Sequence, residues 1–251
     1  MRIHSAAAVL LDVVDLQERD RIVSFITAEH GKRRGVAKGA RTKFSRFAGQ
    51  LQPLAKAQIR WSEKEGRELV RISDVQMIRP AARLQEDLEG ILLGAYLAEH
   101  LGEFAQEDEP TSALFRLLDT TLEAMLAGVD RGLAARYLEV WVLRLSGILP
   151  VPTECPLCGR ALTDRAALLE TEAAIVCEDC AEDQRRFMLG PGELEFLRRS
   201  GRQNLPRMAE EPPPPAVLGR IEELCAKVRR HFLQGELRSY RIMRRTLGGL
   251  S

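Results

Sequence analysis

Two pairs of cysteines constrain this chain more than any other feature. Cys155 and Cys158 are separated by two residues, Cys177 and Cys180 likewise, and eighteen residues lie between the pairs. Each CxxC pair presents two thiolates from one tight turn, and two such turns brought together make a tetrahedron of sulfur around Zn²⁺. Gly159 follows the first pair and relieves its turn. Leu162, Leu168, Leu169, Ile175 and Val176 supply enough apolar surface for a short hairpin between the knuckles. Four thiolates saturate tetrahedral zinc and leave no position for water, so the expected role is structural rather than catalytic. The fifth cysteine, Cys225, falls on the apolar side of a helical pattern and reads as a core thiol.

The remaining sequence divides by charge. Residues 1–80 hold 16 Lys and Arg against 9 Asp and Glu, residues 81–150 hold 5 against 12, and residues 151–251 hold 16 against 15. A basic module therefore precedes an acidic one, although the formal net charge is only +1. Such a module points to an anionic partner. Its cations concentrate in Gly31–Pro53, where Lys32, Arg33, Arg34, Lys38, Arg41, Lys43 and Arg46 occur without one acidic residue. Phe44 and Phe47 sit among them. Cations neutralise phosphates and release counterions, and aromatic rings stack on unpaired bases. The same composition also describes a solvated basic loop with both rings in the core.

Residues 1–80 read as five short strands: Ala6 to Val14, Arg21 to Thr27, Lys32 to Lys38, Leu54 to Trp61 and Leu69 to Ile78. Five strands in that length suit a small β-barrel of the OB type, with the basic window spanning the third strand and the loop after it. From Ala81 to Leu149 the pattern turns helical. Three apolar stripes, beginning at Leu84, Leu114 and Leu133, are long enough to bury a core against one another. Thr111 or Ser112 is the expected cap of the second. Beyond the cysteines, a helix is expected over Gly192–Arg199. A polar, proline-rich linker should follow through Pro212–Pro215, then a last helix over Ala216–Gln234 and a basic tail bearing Arg238, Arg241, Arg244 and Arg245.

The fold class expected is α+β and multidomain: a five-stranded OB-fold β-barrel (1–80), an α-helical domain in two parts (81–150 and 185–251), and a four-cysteine zinc module (151–184). No phosphate-binding loop, HExxH or GxSxG occurs. His4, His30, His100 and His231 lie far apart along the chain and form no recognisable triad, so no enzyme is expected. The first residues do not have the shape of a secretory signal, and no apolar run approaches a membrane span, so a cytoplasmic location is expected.

These features coincide with a known family. The segment DRIVSFITAEHGKRRGVAKGARTKFSRFAGQLQP, the Leu-rich middle, LRLSGILPVPTECPLCGR, CEDC and the basic end with LRSYRIM together resemble the bacterial recombination-mediator family RecO, in its zinc-containing branch. The resemblance runs through the chain in order. It implies binding of single- and double-stranded DNA, annealing of complementary strands, and cooperation with RecR, in places with RecF, in loading RecA onto DNA coated with single-strand-binding protein. It also implies contact with the C-terminal tail of that protein; a basic side chain near Arg229 or Arg241 would suit such an acidic tail. On the matching window it assigns DNA contact to Lys32, Arg33, Arg34, Lys38, Arg41, Lys43 and Arg46. It further implies one structural Zn²⁺ on Cys155, Cys158, Cys177 and Cys180, and a cytoplasmic, nucleoid-associated protein. A different class, an RNA-associated OB and zinc accessory factor of transcription or ribosome assembly, has the same composition. A cryptic metal-dependent nuclease is a weaker third.

Overall fold

The computed structural model describes residues 2–107, 109–170, 172–181 and 186–248. In chain order its elements are β1 (Arg2–Leu16), β2 (Asp20–Thr27), β3 (Gly31–Ala37), β4 (Lys56–Glu63), β5 (Val70–Arg79), α1 (Leu88–Phe104), α2 (Ser112–Leu126) and α3 (Arg131–Leu145). There follow β6 (Ala166–Leu169), β7 (Ala174–Val176), β8 (Arg186–Leu189), α4 (Pro191–Arg202), α5 (Leu205–Glu210), α6 (Pro215–Leu233) and α7 (Arg238–Gly248). They form two compact units, one of Met1–Leu126 with Leu237–Ser251, the other of Ala127–Glu236.

The first unit is built on a closed barrel of strand order β1-β2-β3-β5-β4. Closure requires β3 and β5 to run parallel, with Gly35 opposite Val70 and Ala37 opposite Ile72. A Cβ on Gly35 would lie 2.8 Å from the side chains of both Ile72 and Val70, so the seam closes only over glycine. Alternate residues fill the interior: Ala6, Ala8 and Leu10 of β1, Val23 and Phe25 of β2, Ile59 and Trp61 of β4, Val70 and Ile72 of β5. β1 nevertheless reads as a continuous apolar run rather than an alternating one. A bulge between Leu10 and Asp12 shifts its register, and outward-facing Val9 and Ile26 are also fully buried, on strands against which α1 and α2 pack. Two-sided burial removes the alternation that marks a half-exposed strand.

α2 is fixed by charge as well as by Leu118 and Leu122. Its Asp119 receives Lys56 Nζ at 2.6 Å and Arg79 Nη2 at 2.8 Å, and Glu123 takes the other Arg79 nitrogen at 2.6 Å. Thr111 precedes the helix, as expected, but its hydroxyl donates to the Thr27 carbonyl at 3.3 Å and so ties the helix to β2. α1 is capped by Asp87, which accepts from Gly90 N at 2.7 Å, and packs against α7.

In the second unit α3 packs against α4, α5 and α6. Arg136 on α3 bridges Glu139 and Glu222, each at 2.6 Å, in a buried network, and Trp141 Nε1 donates to the Ser200 carbonyl at 2.9 Å. Cys225 is fully buried on α6, and burial pushes its thiol up. Among the described residues no helix is long and apolar enough to cross a membrane.

Three expectations need correction. The stripes of α1, α2 and α3 do not make one three-helix core. α1 and α2 pack on the barrel, while α3 finds its partners after residue 190. The linker before Pro212 contains a short helix, α5, begun by Asn204, whose side chain accepts from Arg207 N at 3.0 Å. The basic tail is a helix, α7, with Tyr240 and Met243 buried, because α1 supplies the apolar surface that an isolated segment lacks.

Candidate nucleic-acid interface and metal centre

Between β3 and β4 the chain makes no regular element. It advances by successive turns in which Thr42 N, Ser45 N, Ala48 N and Gln50 N each donate to the carbonyl three residues back, at 3.0–3.1 Å. Gly39, at φ 71°, opens the series in the left-handed region, and its N–H donates to Asp20 Oδ1 at 2.8 Å. The loop is not simply solvated. Ala40, Phe47 and Leu51 insert into the barrel core and anchor it. Phe47 is 2% exposed and Phe44 is 91% exposed. One ring is thus a plug, and the other stands in solvent beside Lys43, whose Nζ lies 5.7 Å from its centroid.

Anchoring sorts the seven cations of the basic window. Arg34, Lys38, Lys43 and Arg46 are exposed, and none has an ion-pair partner among the described residues. The other three are engaged within the protein. Lys32 Nζ donates to the Gly102 carbonyl at 2.7 Å. Arg33 lies 3.4 Å from Glu63 with its side chain largely buried. Arg41 donates to the Gln17 carbonyl at 2.8 Å and lies 3.4 Å from Asp15.

The barrel adds cations that the linear window omits. Val36 stands opposite Arg71 across the β3–β5 seam. Arg71 and Arg67 line an open cleft of about 520 Å³ together with Lys38, Val36 and Leu69. Both arginines are exposed. The parallel pairing that brings them to Lys38 is a property of barrel closure and has no counterpart in sequence spacing.

At one end of the barrel Arg33 belongs to a second cluster. The His4 ring stacks on Trp61 at 5.3 Å between centroids, and His30 meets both edgewise, at 4.7 Å from His4 and 5.2 Å from Trp61. Burial lowers the His30 pKa, and the neighbouring charges of His4 and Arg33 lower it further. Burial pushes the Glu63 carboxyl up, but the Trp61 N–H, Arg33 and His4 outweigh it and hold Glu63 below the usual carboxylate range. His4 and His30 are far apart in sequence, and only the curvature of the barrel joins them.

In the second unit the four cysteines converge. Their sulfur atoms all lie within 4.8 Å of one another, and Cys158 and Cys177 are 3.6 Å apart, too far for a disulfide. A tetrahedron with sulfur arms of ~2.3 Å has edges of about 3.8 Å, so the four thiols could hold one metal ion. The first knuckle is closed by Cys155 N donating to the Arg160 carbonyl at 2.7 Å and by Gly159, at φ 74°. Burial pushes the Cys155 thiol up, but backbone N–H groups of Cys177, Leu157 and Cys158 outweigh it and bring it down to about 6. Cys180 is pushed up to about 12 by its hydrogen bonds with Cys177 and Cys158 and then by burial. Four crowded thiols cannot all ionise together without a cation among them. Among the described residues no other His, Cys, Asp and Glu group has metal-binding geometry.

The sheet β7-β6-β8 supports the knuckles, and all four residues of β6 are buried. The hairpin expected between the knuckles is β6–β7; β8 is an addition. Helices grip the module through cations. Arg198 on α4 donates to the carbonyls of Leu162 and Thr163, Arg220 on α6 lies 3.8 Å over the Phe187 ring, and Lys227 meets Glu170 at 2.6 Å. Arg160 and Arg165 beside the knuckles are paired with Asp179 and Glu178. Arg229 is fully buried and paired with Glu236 at 2.6 Å, so it cannot serve an acidic tail at the surface, whereas Arg241 is exposed.

Comparison with known proteins bears on both regions. Residues 1–81 match the family model "Recombination protein O N terminal" and residues 85–241 match "Recombination protein O C terminal". The chain is 34% identical over 227 residues to a DNA repair protein RecO of Anaeromyxobacter sp. (strain K), covering 89% of each chain. It is 33% identical over 239 residues to that of Myxococcus xanthus (strain DK1622), covering 94% of this chain and 95% of the relative. The protein of the same description from Desulforamulus reducens is 28% identical over 247 residues, 98% of this chain and 95% of the relative.

Proposed function

This chain belongs to the RecO family, and from that premise we propose that it is a non-enzymatic DNA-binding protein of recombinational repair. In this reading it binds single- and double-stranded DNA and anneals complementary strands. With RecR, and with RecF in places, it helps RecA load onto DNA coated with single-strand-binding protein, whose C-terminal tail it contacts. It works in the cytoplasm on the nucleoid. Residues 1–80 are the DNA-binding barrel, 151–184 the four-cysteine module holding one structural Zn²⁺, and 81–150 with 185–251 the helical part. That functional division runs across the two compact units.

The observation that carries this reading is the anchored loop after β3. Phe47 in the core holds the loop in place, so Lys38, Lys43, Phe44 and Arg46 are presented outward on a fixed support. Arg34, Arg67 and Arg71 extend the cationic surface across β3 and β5. Lys32, Arg33 and Arg41 position the window through their internal bonds and add to its field. Such a surface lowers the repulsion between two phosphate chains and leaves their bases to pair. Phe44 supplies one stacking platform.

The test is oligonucleotide binding as a function of salt. For single strands the logarithm of affinity should fall by about 0.7 per tenfold rise in salt for each phosphate neutralised. Charge reversal K43E/R46E should weaken binding by about tenfold or more and flatten the salt slope by about one per lysine or arginine lost, with thermal stability unchanged. Binding that does not respond to salt would refute the reading. Tighter binding of a matched RNA oligonucleotide than of DNA would transfer the surface to RNA.

A further inference from the structure

α7 turns what reads as a basic tail into an ordered surface. Its sequence, RSYRIMRRTLG, has no acidic residue. Tyr240 and Met243 are buried, and the Tyr240 ring lies 5.1 Å from that of Tyr96 on α1. At 3.6 residues per turn, Arg238, Arg241 and Arg245 project within about 60° of one another on the far side of the helix from Tyr240. All three are exposed, and none has an ion-pair partner among the described residues. Glu99 of α1 is engaged by backbone N–H groups of α7 rather than by its guanidinium groups. Glu99 accepts from Arg238 N at 3.2 Å and Ser239 N at 2.7 Å, and so caps α7.

Arg238 stands on one wall of a groove of about 820 Å³, and Arg34 of β3 stands in the lining of the same groove. Asp12, Glu103 and Glu107 also line it and are exposed. A phosphate chain crossing from Arg34 to Arg238 would meet these carboxylates. With these carboxylates, Glu99 and the internally bonded Lys32 in the lining, the groove between the two arginines is not a continuous cationic track.

We propose that the arginine face of α7 (Arg238, Arg241 and Arg245) is a second nucleic-acid contact, holding the phosphates of a strand other than the one on the barrel. The proposal rests on the DNA-binding reading above and gives annealing its second strand. The three arginines fall within eight residues, seven rises of ~1.5 Å or about 10 Å of helix. Along a duplex axis the phosphates of one strand project ~3.4 Å apart, so that length covers about three of them. Ile242, 43% exposed, is the one large apolar side chain exposed on the described part of α7, which leaves little to insert into a membrane.

The experiment uses the full chain and two non-complementary oligonucleotides carrying different dyes, each about 12 nucleotides, within the span of one barrel. The parent protein should hold both strands at once. R238Q/R241Q/R245Q should hold one, keep its affinity for that one within about twofold, and anneal complementary strands about tenfold more slowly; R238K/R241K/R245K should restore both properties. On unmodified protein, phenylglyoxal labelling of the three arginines should be blocked by the second strand, a readout that does not depend on any variant folding. Two-strand binding by the glutamine variant, or labelling indifferent to oligonucleotide, overturns the proposal and leaves the barrel reading standing. Protection by phosphatidylserine vesicles but not by oligonucleotide also overturns it. The barrel reading fails separately, if K43E/R46E binds its first strand as the parent does.

Discussion

The barrel and the cysteine module are both small β-structures bearing arginines, yet they are held together and used in opposite ways. The barrel has an apolar interior of its own, centred on Trp61, Phe25 and Ile59, and Lys38, Lys43 and Arg46 of its loop are exposed with no ion-pair partner among the described residues. The module has three short strands, four clustered thiols that could hold a metal ion, and helices that grip it. Its Arg160 and Arg165, both exposed, are paired with Asp179 and Glu178. A large core permits a charged surface to be kept open for a partner. A small one has to commit its polar groups to internal order.

The most severe test of that contrast is metal removal. Structural zinc contributes apparent binding free energies of about 10–16 kcal/mol in isolated fingers. Chelation or Cys177→Ser should therefore abolish amide-hydrogen protection across β6–β8 while β1–β5 keep theirs, as read by hydrogen exchange. Elemental analysis should find one equivalent of zinc in the parent. Loss of protection in the barrel as well would break the comparison.

Within the barrel the two phenylalanines of the loop give a milder test. Phe47→Ala removes a core ring and should cost about 3–5 kcal/mol. It should also weaken oligonucleotide binding by releasing the loop. Phe44→Ala should leave stability within about 0.5 kcal/mol, as exposed positions do. Its loss of strand affinity should be about 1–3 kcal/mol, the value of one stacked base. Equal effects of the two substitutions on thermal unfolding would contradict the plug.

The smallest expected effect is on pH. The His30 pKa is lowered from 6.5 in the folded chain, so the unfolded chain binds the proton more readily. His30 then contributes stability that is complete above 6.5 and is lost as pH falls through 6.5 toward the folded value. Glu63, lowered from 4.5, loses its contribution only below that value. Barrel unfolding midpoints should thus decline on acidification from neutrality, and less so in His30→Gln. An identical decline in that variant would remove His30 from the account.

Much of this was legible in the residues. The five strands were readable because β-branched and aromatic runs are local, and the cysteine quartet because metal geometry imposes a fixed spacing. The fates of Phe44 and Phe47 were not, since two rings three residues apart in an irregular loop have no period to tell inside from outside. α7 was missed because Tyr240, Met243 and Leu247 are too few among its arginines to predict a helix without the surface of α1.

By itself, then, the sequence determined the two all-β modules, the four thiols that come together and the store of cations. These depend on contacts between near neighbours or on strict spacing. Only the tertiary structure decided which cations remain free, that Arg71 joins Lys38, that His4 meets His30 and that α7 stands as an ordered arginine face. Each of those brings together residues distant in the chain, and barrel closure and helix packing, rather than any local preference, set the distances.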